Sequence, residues 1–349
     1  MPDANPAVPA TAESVHDLGE HRLLDRIRAR VPPAPPWVAV GIGDDAAVVE
    51  PVRGALDVVT TDAMVEGVHF DRRFGSMTAV GHKALAINLS DLAAMGAIPR
   101  VALLSLALPG DLAVHDVDRL LNGLLDLAAS HRVALVGGNL TRSPGPLFVE
   151  VTLLGSIGRR KVMTRQGARP GDGLYVTGEV GGAAAGLGWL QRNANAGSGD
   201  AVPDGLAVCV DRLLRPSPRV RAGTRVGRNR IVHAAIDLSD GLADGVTQIT
   251  QPSGLGAIVE ADAVPVCDGA RRWFAAEQRD PVEAALSGGE DYELLFAVPD
   301  RPPSAVRLLG RVIAPLRVTR IGTVTAEPAL RLRRPSGDAT LPRGFTHFL

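Results

Sequence analysis

The chain has no surplus of positive charge: 37 Lys and Arg stand against 38 Asp and Glu in 349 residues, a formal net charge of −1. Without a general basic field, neither nucleic acid nor an anionic membrane is an expected partner, and any anionic ligand must be held by local groups or metal ions. Cysteine is scarce. Cys209 and Cys267 lie far apart with no CxxC or Cys/His spacing, which argues against a disulfide or zinc site and predicts buried free thiols in a reducing compartment. No run approaches the roughly 18 apolar residues that a spanning helix requires. The opening MPDANPAVPATAE has acidic residues and prolines where a signal peptide has a basic region and an apolar core, so a cytoplasmic location is expected. Three phosphate- or cation-handling signatures are missing as well. There is no GxxxxGK[ST] loop, no HRD or DFG pair and no DxDxDG calcium loop.

What the chain does have is 46% apolar and 21% charged residues, the balance of a globular protein, and a length beyond what one core usually supports. Two domains are therefore expected. Residues 1–36 read as a Pro/Ala tail (1–12) and a helix over Glu13–Arg30, stopped by Pro32, Pro33, Pro35 and Pro36. The next unit, 37–158, shows strands at Val38–Ile42, Leu56–Thr61, Val101–Leu108, Val133–Val136 and Leu147–Ile157, with helices at 78–96 and Leu112–Ser130. This order gives an α+β unit whose single sheet is covered on one face, leaving the other face or an edge for self-association. The last unit, 159–349, shows strands at Leu174–Thr177, Val232–Ile236, 257–261, 293–298 and 317–324, helices between them and a polar insert over Asn193–Asp200.

The carboxylates carry the argument. Apolar runs stop on acidic and hydroxyl residues at Gly43-Asp44-Asp45 and at Thr60-Thr61-Asp62. Similar clusters recur at Asn88-Leu89-Ser90-Asp91, Ile236-Asp237-Leu238-Ser239-Asp240 and Gly288-Gly289-Glu290-Asp291. One Asp-Asp would be ordinary turn chemistry. The repetition points to a shared cation site, and scattered carboxylates suit Mg²⁺, which keeps waters and binds phosphate oxygens. Asp45, Asp62, Asp91 and Asp237 would repel one another until divalent cations arrive. The Gly178–Gly182 turn that opens a helix either cradles an anion or simply packs. Ser239 and Asp240, at another helix start, are equally open to both readings.

Five stretches in this order, GIGDDAAVV, TTDAMVEGVHF, KALAINLSDLAAMGAIP, IDLSDGL and SGGEDYELLF, resemble the thiamine-monophosphate kinase family of the aminoimidazole-ribotide-synthetase-like superfamily. The resemblance runs from Gly41 to Gly344-Phe345-Thr346-His347-Phe348. It implies the two-domain α+β architecture of that superfamily, each domain a mixed sheet covered by helices. It also implies transfer of the ATP γ-phosphate to thiamine monophosphate with several Mg²⁺ ions, giving thiamine diphosphate and ADP, and a homodimer through the first domain. Carried over by motif, Asp45, Thr60, Thr61, Asp62, Asp91 and Asp237 resemble magnesium ligands, with Asp240 near a further ion. Ser239, Gly138 and Arg165 resemble nucleotide contacts, and His69, Glu290 and Phe345 substrate contacts. Asp62, Asp91 and Arg165 are the expected catalytic set.

One departure is visible. Gly137-Gly138-Asn139 stands where the family has Gly-Gly-Asp. An amide oxygen still ligates Mg²⁺ but brings no charge, so Asn139 should hold one ion more weakly. Rival readings are an ATP-dependent synthase or ligase of the same superfamily and a non-catalytic thiamine-phosphate or nucleotide sensor. Selenophosphate synthetase lacks support, because no reactive Cys precedes the first Gly-rich stretch of this sequence. A hydrogenase-maturation relative would end in Cys, whereas this sequence ends Phe348-Leu349.

Overall fold

The computed structural model describes residues 13–196, 201–301 and 303–345. The expected tail over 1–12, Gly197–Asp200 of the polar insert and Thr346–Phe348 lie outside them. The first helical stretch is two pieces, Val15–Leu18 and Glu20–Arg30, because Gly19 turns the backbone to φ 79° between them. Arg26 and Arg30 then grip Asp118 at 2.5 and 2.8 Å and dock the second piece on the helix Val114–His131.

The first large sheet has the order Ala55–Val65, Phe148–Gly158, Ile98–Pro109, Ala134–Ser143. Its first two pairs are antiparallel and its last is parallel. A parallel pair needs a crossover, which Val114–His131 supplies. Val114–His131 and the helix Met77–Met95 cover one face. From Leu56 to Met64 the alternation is strict. Val58, Thr60, Asp62 and Met64 turn towards the helices, and Asp57, Val59, Thr61 and Ala63 are exposed on the bare face. The strand is longer than its apolar stretch predicts, because Ala63, Met64 and Val65 continue the pairing to Phe148, so Asp62 lies inside it opposite Val151.

The second large sheet has seven strands, in the order Gly337–Thr340, Leu330–Arg334, Gly256–Glu260, Val318–Thr325, Asp172–Thr177, Leu294–Pro299, Ala234–Asp237. It too is mixed, with one parallel pair, Leu330–Arg334 on Gly256–Glu260. One core contains Val176, Ile236, Leu295 and the helices Gly182–Ala196, Asp204–Leu214 and Asp268–Ala276. On the other face, Tyr175, Ala235 and Phe296 join the core of the first sheet through the helix Val220–Asn229. Cys209 and Cys267, both buried free thiols, lie side by side with their sulfurs 3.7 Å apart.

Met77–Met95 is the wedge between the sheets. It touches Ala55–Val65, Phe148–Gly158 and Ala234–Asp237. The helix is apolar almost all round, as a helix buried on every side should be. Leu85, Leu89 and Leu92 are fully buried, and replacing one by Ala costs about 2–5 kcal/mol. Ser76 caps its start and Gly96, at φ 76°, ends it. Its neighbours approach backbone to backbone. A Cβ on Gly123 would stand 1.8 Å from the Thr78 carbonyl oxygen, and one on Gly223 1.9 Å from that of Ala93.

Candidate active site

The wedge helix delivers Ser90 and Asp91 to the seam between the sheets. Thr60, on the helix-facing side of its strand, donates a short hydrogen bond to the Asp91 carboxylate. Ser90 donates to Asp237 at 2.7 Å, reaching from the first unit to the last residue of the strand Ala234–Asp237. Asp62 shares the face of Thr60 and feels the charges of Asp91 and Asp240. Carboxylates from three separate segments are thus brought near one another at the seam.

Their electrostatics reflect burial and mutual repulsion. Burial, and then the Asp91 and Asp240 charges, push Asp62 up to about 6. Asp237 is pushed up to about 7, again by burial first and then by Asp91, against the Ser90 hydrogen bond and the Arg165 charge. Burial also raises Asp91, against Thr60 and Arg165. Asp244, on the helix Leu242–Thr250, is raised by burial and by Asp240. Acids crowded and desolvated like this are costly to a fold, and such perturbation gathers where chemistry is done. Arg165 is exposed at the rim and donates to Gln248 at 3.2 Å.

The loop after Ser287 closes the other side. Glu290 and Tyr292 adopt φ 69° and 49°, a region that side chains rarely occupy. Two backbone bonds hold them there, Glu290 N–H to the Ser239 carbonyl at 2.7 Å and Tyr292 N–H to that of Leu238 at 3.0 Å. The Tyr292 phenol is driven well above its ordinary range by burial, then by Glu290, Asp237, Asp62 and Asp240, so this loop borders the acid pocket. Glu290 pairs with the Lys83 ammonium at 2.6 Å, and Lys83 also donates to the His69 carbonyl at 3.0 Å. The His69 ring accepts the Val65 N–H at 3.1 Å. Ser239 donates to Asp240 at 2.9 Å. Phe345 returns to this corner, its N–H bonded to the Asp240 carbonyl at 3.0 Å and its side chain exposed.

Four expected residues stand elsewhere. Asp45 is exposed on its loop, with its N–H on the Asp44 carboxylate at 2.9 Å. The Thr61 side chain points to the bare sheet face, where it meets Thr152 at 3.0 Å and Glu150 at 3.1 Å, because strand neighbours face opposite ways. Gly138 and Asn139 are exposed within the edge strand Ala134–Ser143, opposite Leu104 and Ser105. The Gly178–Gly182 turn is no open anion cradle, since Asp291 accepts the N–H groups of Gly181 at 2.6 Å and Ala183 at 3.3 Å. Among the described residues, no three His, Cys, Asp or Glu side chains form a ready-made metal cage.

Sequence reasoning missed Ser90, Lys83, Asp244 and Tyr292. Lys83 had a signal: it is the one full charge before Asp91 in an otherwise apolar helix.

The model of AIR synthase related protein, N-terminal domain, matches residues 43–157, and that of the C-terminal domain matches 169–334. The thiamine-monophosphate kinase of Rhodopirellula baltica is 35% identical over 337 residues, covering 94% of this chain and 97% of the relative. That of Escherichia coli K12 is 38% identical over 336 residues, covering 95% and 98%. The chain belongs to the thiamine-monophosphate kinase family. A solved structure of that family, AaThiL complexed with AMPPCP and TMP, superposes with a TM-score of 0.74 at 32% identity over 95% of this chain and 98% of the other. The two domain models and the superposition give the chain the two-domain α+β architecture of that family.

Proposed function

We infer that this chain transfers the γ-phosphate of ATP to the phosphate of thiamine monophosphate, producing thiamine diphosphate and ADP. The observation that carries the reading is the desolvated acid set of Asp62, Asp91 and Asp237, in a chain that matches thiamine-monophosphate kinases almost end to end. The acceptor oxygen belongs to a phosphate whose second pKa is about 6, so it is already ionised near neutrality and needs no general base. The remaining difficulty is bringing two polyanions together. Hard carboxylate oxygens beside a hydroxyl suit Mg²⁺. Asp62, Asp91 and Asp237 would hold it, with Thr60 and Asp240 alongside, and when bound it neutralises converging phosphates. Asp45 and Asn139 join that set only if the loop and the edge strand that carry them close on the pocket.

Arg165, at the rim, meets the transferred phosphate. Ser239 serves the nucleotide, joined by Gly138 under the same condition as Asn139, and His69, Glu290 and Phe345 serve the thiamine half. We divide the chain into an N-terminal tail and helix, 1–36, a nucleotide-binding and dimer-forming unit 37–158 and an α/β unit 159–349. The bare face of the first sheet, with Val59 62% exposed, supports pairing of two copies there. Sedimentation at twice the 36.4 kDa chain mass is the expected result. No helix among the described residues is long and apolar enough to cross a membrane, and a cytoplasmic site of action goes with this function. Incubation with MgATP and thiamine monophosphate should yield thiamine diphosphate and ADP in equal amounts by chromatography. ATP turnover without thiamine diphosphate would overturn the reading.

A further inference from the structure

Lys83 is 4% exposed, and its ammonium is held between two groups far apart in sequence: the Glu290 carboxylate at 2.6 Å and the His69 carbonyl at 3.0 Å. A buried ion pair is a poor investment for stability alone, since an apolar pair of similar volume is often as stable. This pair also spans the seam, joining the wedge helix and the His69 loop to the strained segment after Ser287. Glu290 keeps a φ of 69°, and its N–H is tied to Ser239, so the Lys83 contact fixes where its carboxylate points. Lys83 and Asp91 stand eight residues apart on one rigid helix, roughly 12 Å along its axis, so one element sets the distance between this corner and the acid pocket.

We propose that Lys83 is a positioning residue for the acceptor: one buried ammonium ties the Glu290 carboxylate to the His69 loop, and the two together form one side of the place where the cationic heterocycle of thiamine monophosphate docks. This rests on the kinase reading of the site. The task of Lys83 is to keep Glu290 turned to the acceptor with the His69 loop drawn in beside it.

The test compares Lys83→Met, Glu290→Gln and the double variant in steady-state assays of thiamine diphosphate formation. Lys83→Met should raise KM for thiamine monophosphate at least tenfold and change KM for ATP less than twofold. Glu290→Gln should raise the same KM, and Lys83→Met added to it should bring little further loss, because both act through one contact. Lys83→Gln, which keeps a donor for the His69 carbonyl, should fall between wild type and Lys83→Met, and it serves as the test if the Met variant does not fold. Equal changes in both KM values, or multiplicative losses in the double variant, would reduce Lys83 to a structural residue and overturn the proposal. Failure of the wild-type protein to form thiamine diphosphate would instead strike the kinase reading, so the two failures are distinguishable.

Discussion

Asp45 and Asp237 both lie in acidic clusters of this sequence, yet the fold treats them oppositely. Asp45 is exposed on a loop, and its neighbour's carboxylate bonds backbone. Asp237 ends a buried strand, is held by Ser90 and is pushed up to about 7. The difference lies in what surrounds each carboxylate. A loop acid costs the fold nothing and can wait for a ligand, whereas a seam acid is under electrostatic stress until something cationic arrives.

Substitutions turn that contrast into measurements. The largest effect is expected for Asp91→Asn, which removes one charge from the seam: turnover should fall by about 100-fold or more. Asp45→Asn should cost only about tenfold, mostly as a higher Mg²⁺ requirement. Equal losses would show that the exposed loop works inside the pocket, and would break the comparison.

Stability against pH gives an intermediate effect. The folded-state pKa of Asp237, about 7, is above the ordinary 3.8, so its contribution is fully present below about 3.8 and is lost as pH rises through about 7. In metal-free protein, Asp237→Asn should therefore gain stability relative to wild type between pH 5 and pH 8, by roughly 2–4 °C in Tm. A constant Tm difference over that range would mean that Asp237 is not strained. The smallest effect belongs to Asn139→Asp: because the position is exposed, the added charge is screened, and half-saturating Mg²⁺ should drop only about twofold. An unchanged magnesium titration would remove residue 139 from the ion set.

Much of this was legible in the chain. Spacing located both large sheets, the wedge helix and the acidic stretches, and the family motifs pointed to the seam. What was hidden depended on long-range partners. Ser90 matters because Asp237, 147 residues away, ends beside it, and Lys83 because Glu290 folds back over it. Thr61 turns away from Thr60 and Asp62 for a local reason, since adjacent residues of one strand face opposite ways. The strands Leu330–Arg334 and Gly337–Thr340 were not anticipated; their arginines and exposed polar residues disguise a short hairpin.

Gly123 and Gly223 let other backbones rest directly on the wedge helix at Thr78 and Ala93, with no side chain between them at those crossings. A rod clamped this tightly acts as a fixed ruler, with Lys83 and Asp91 as its two marks. Acceptors of another length then have to be accommodated by the surrounding loops, so selection for a new substrate should find its mutations there and leave the rod alone.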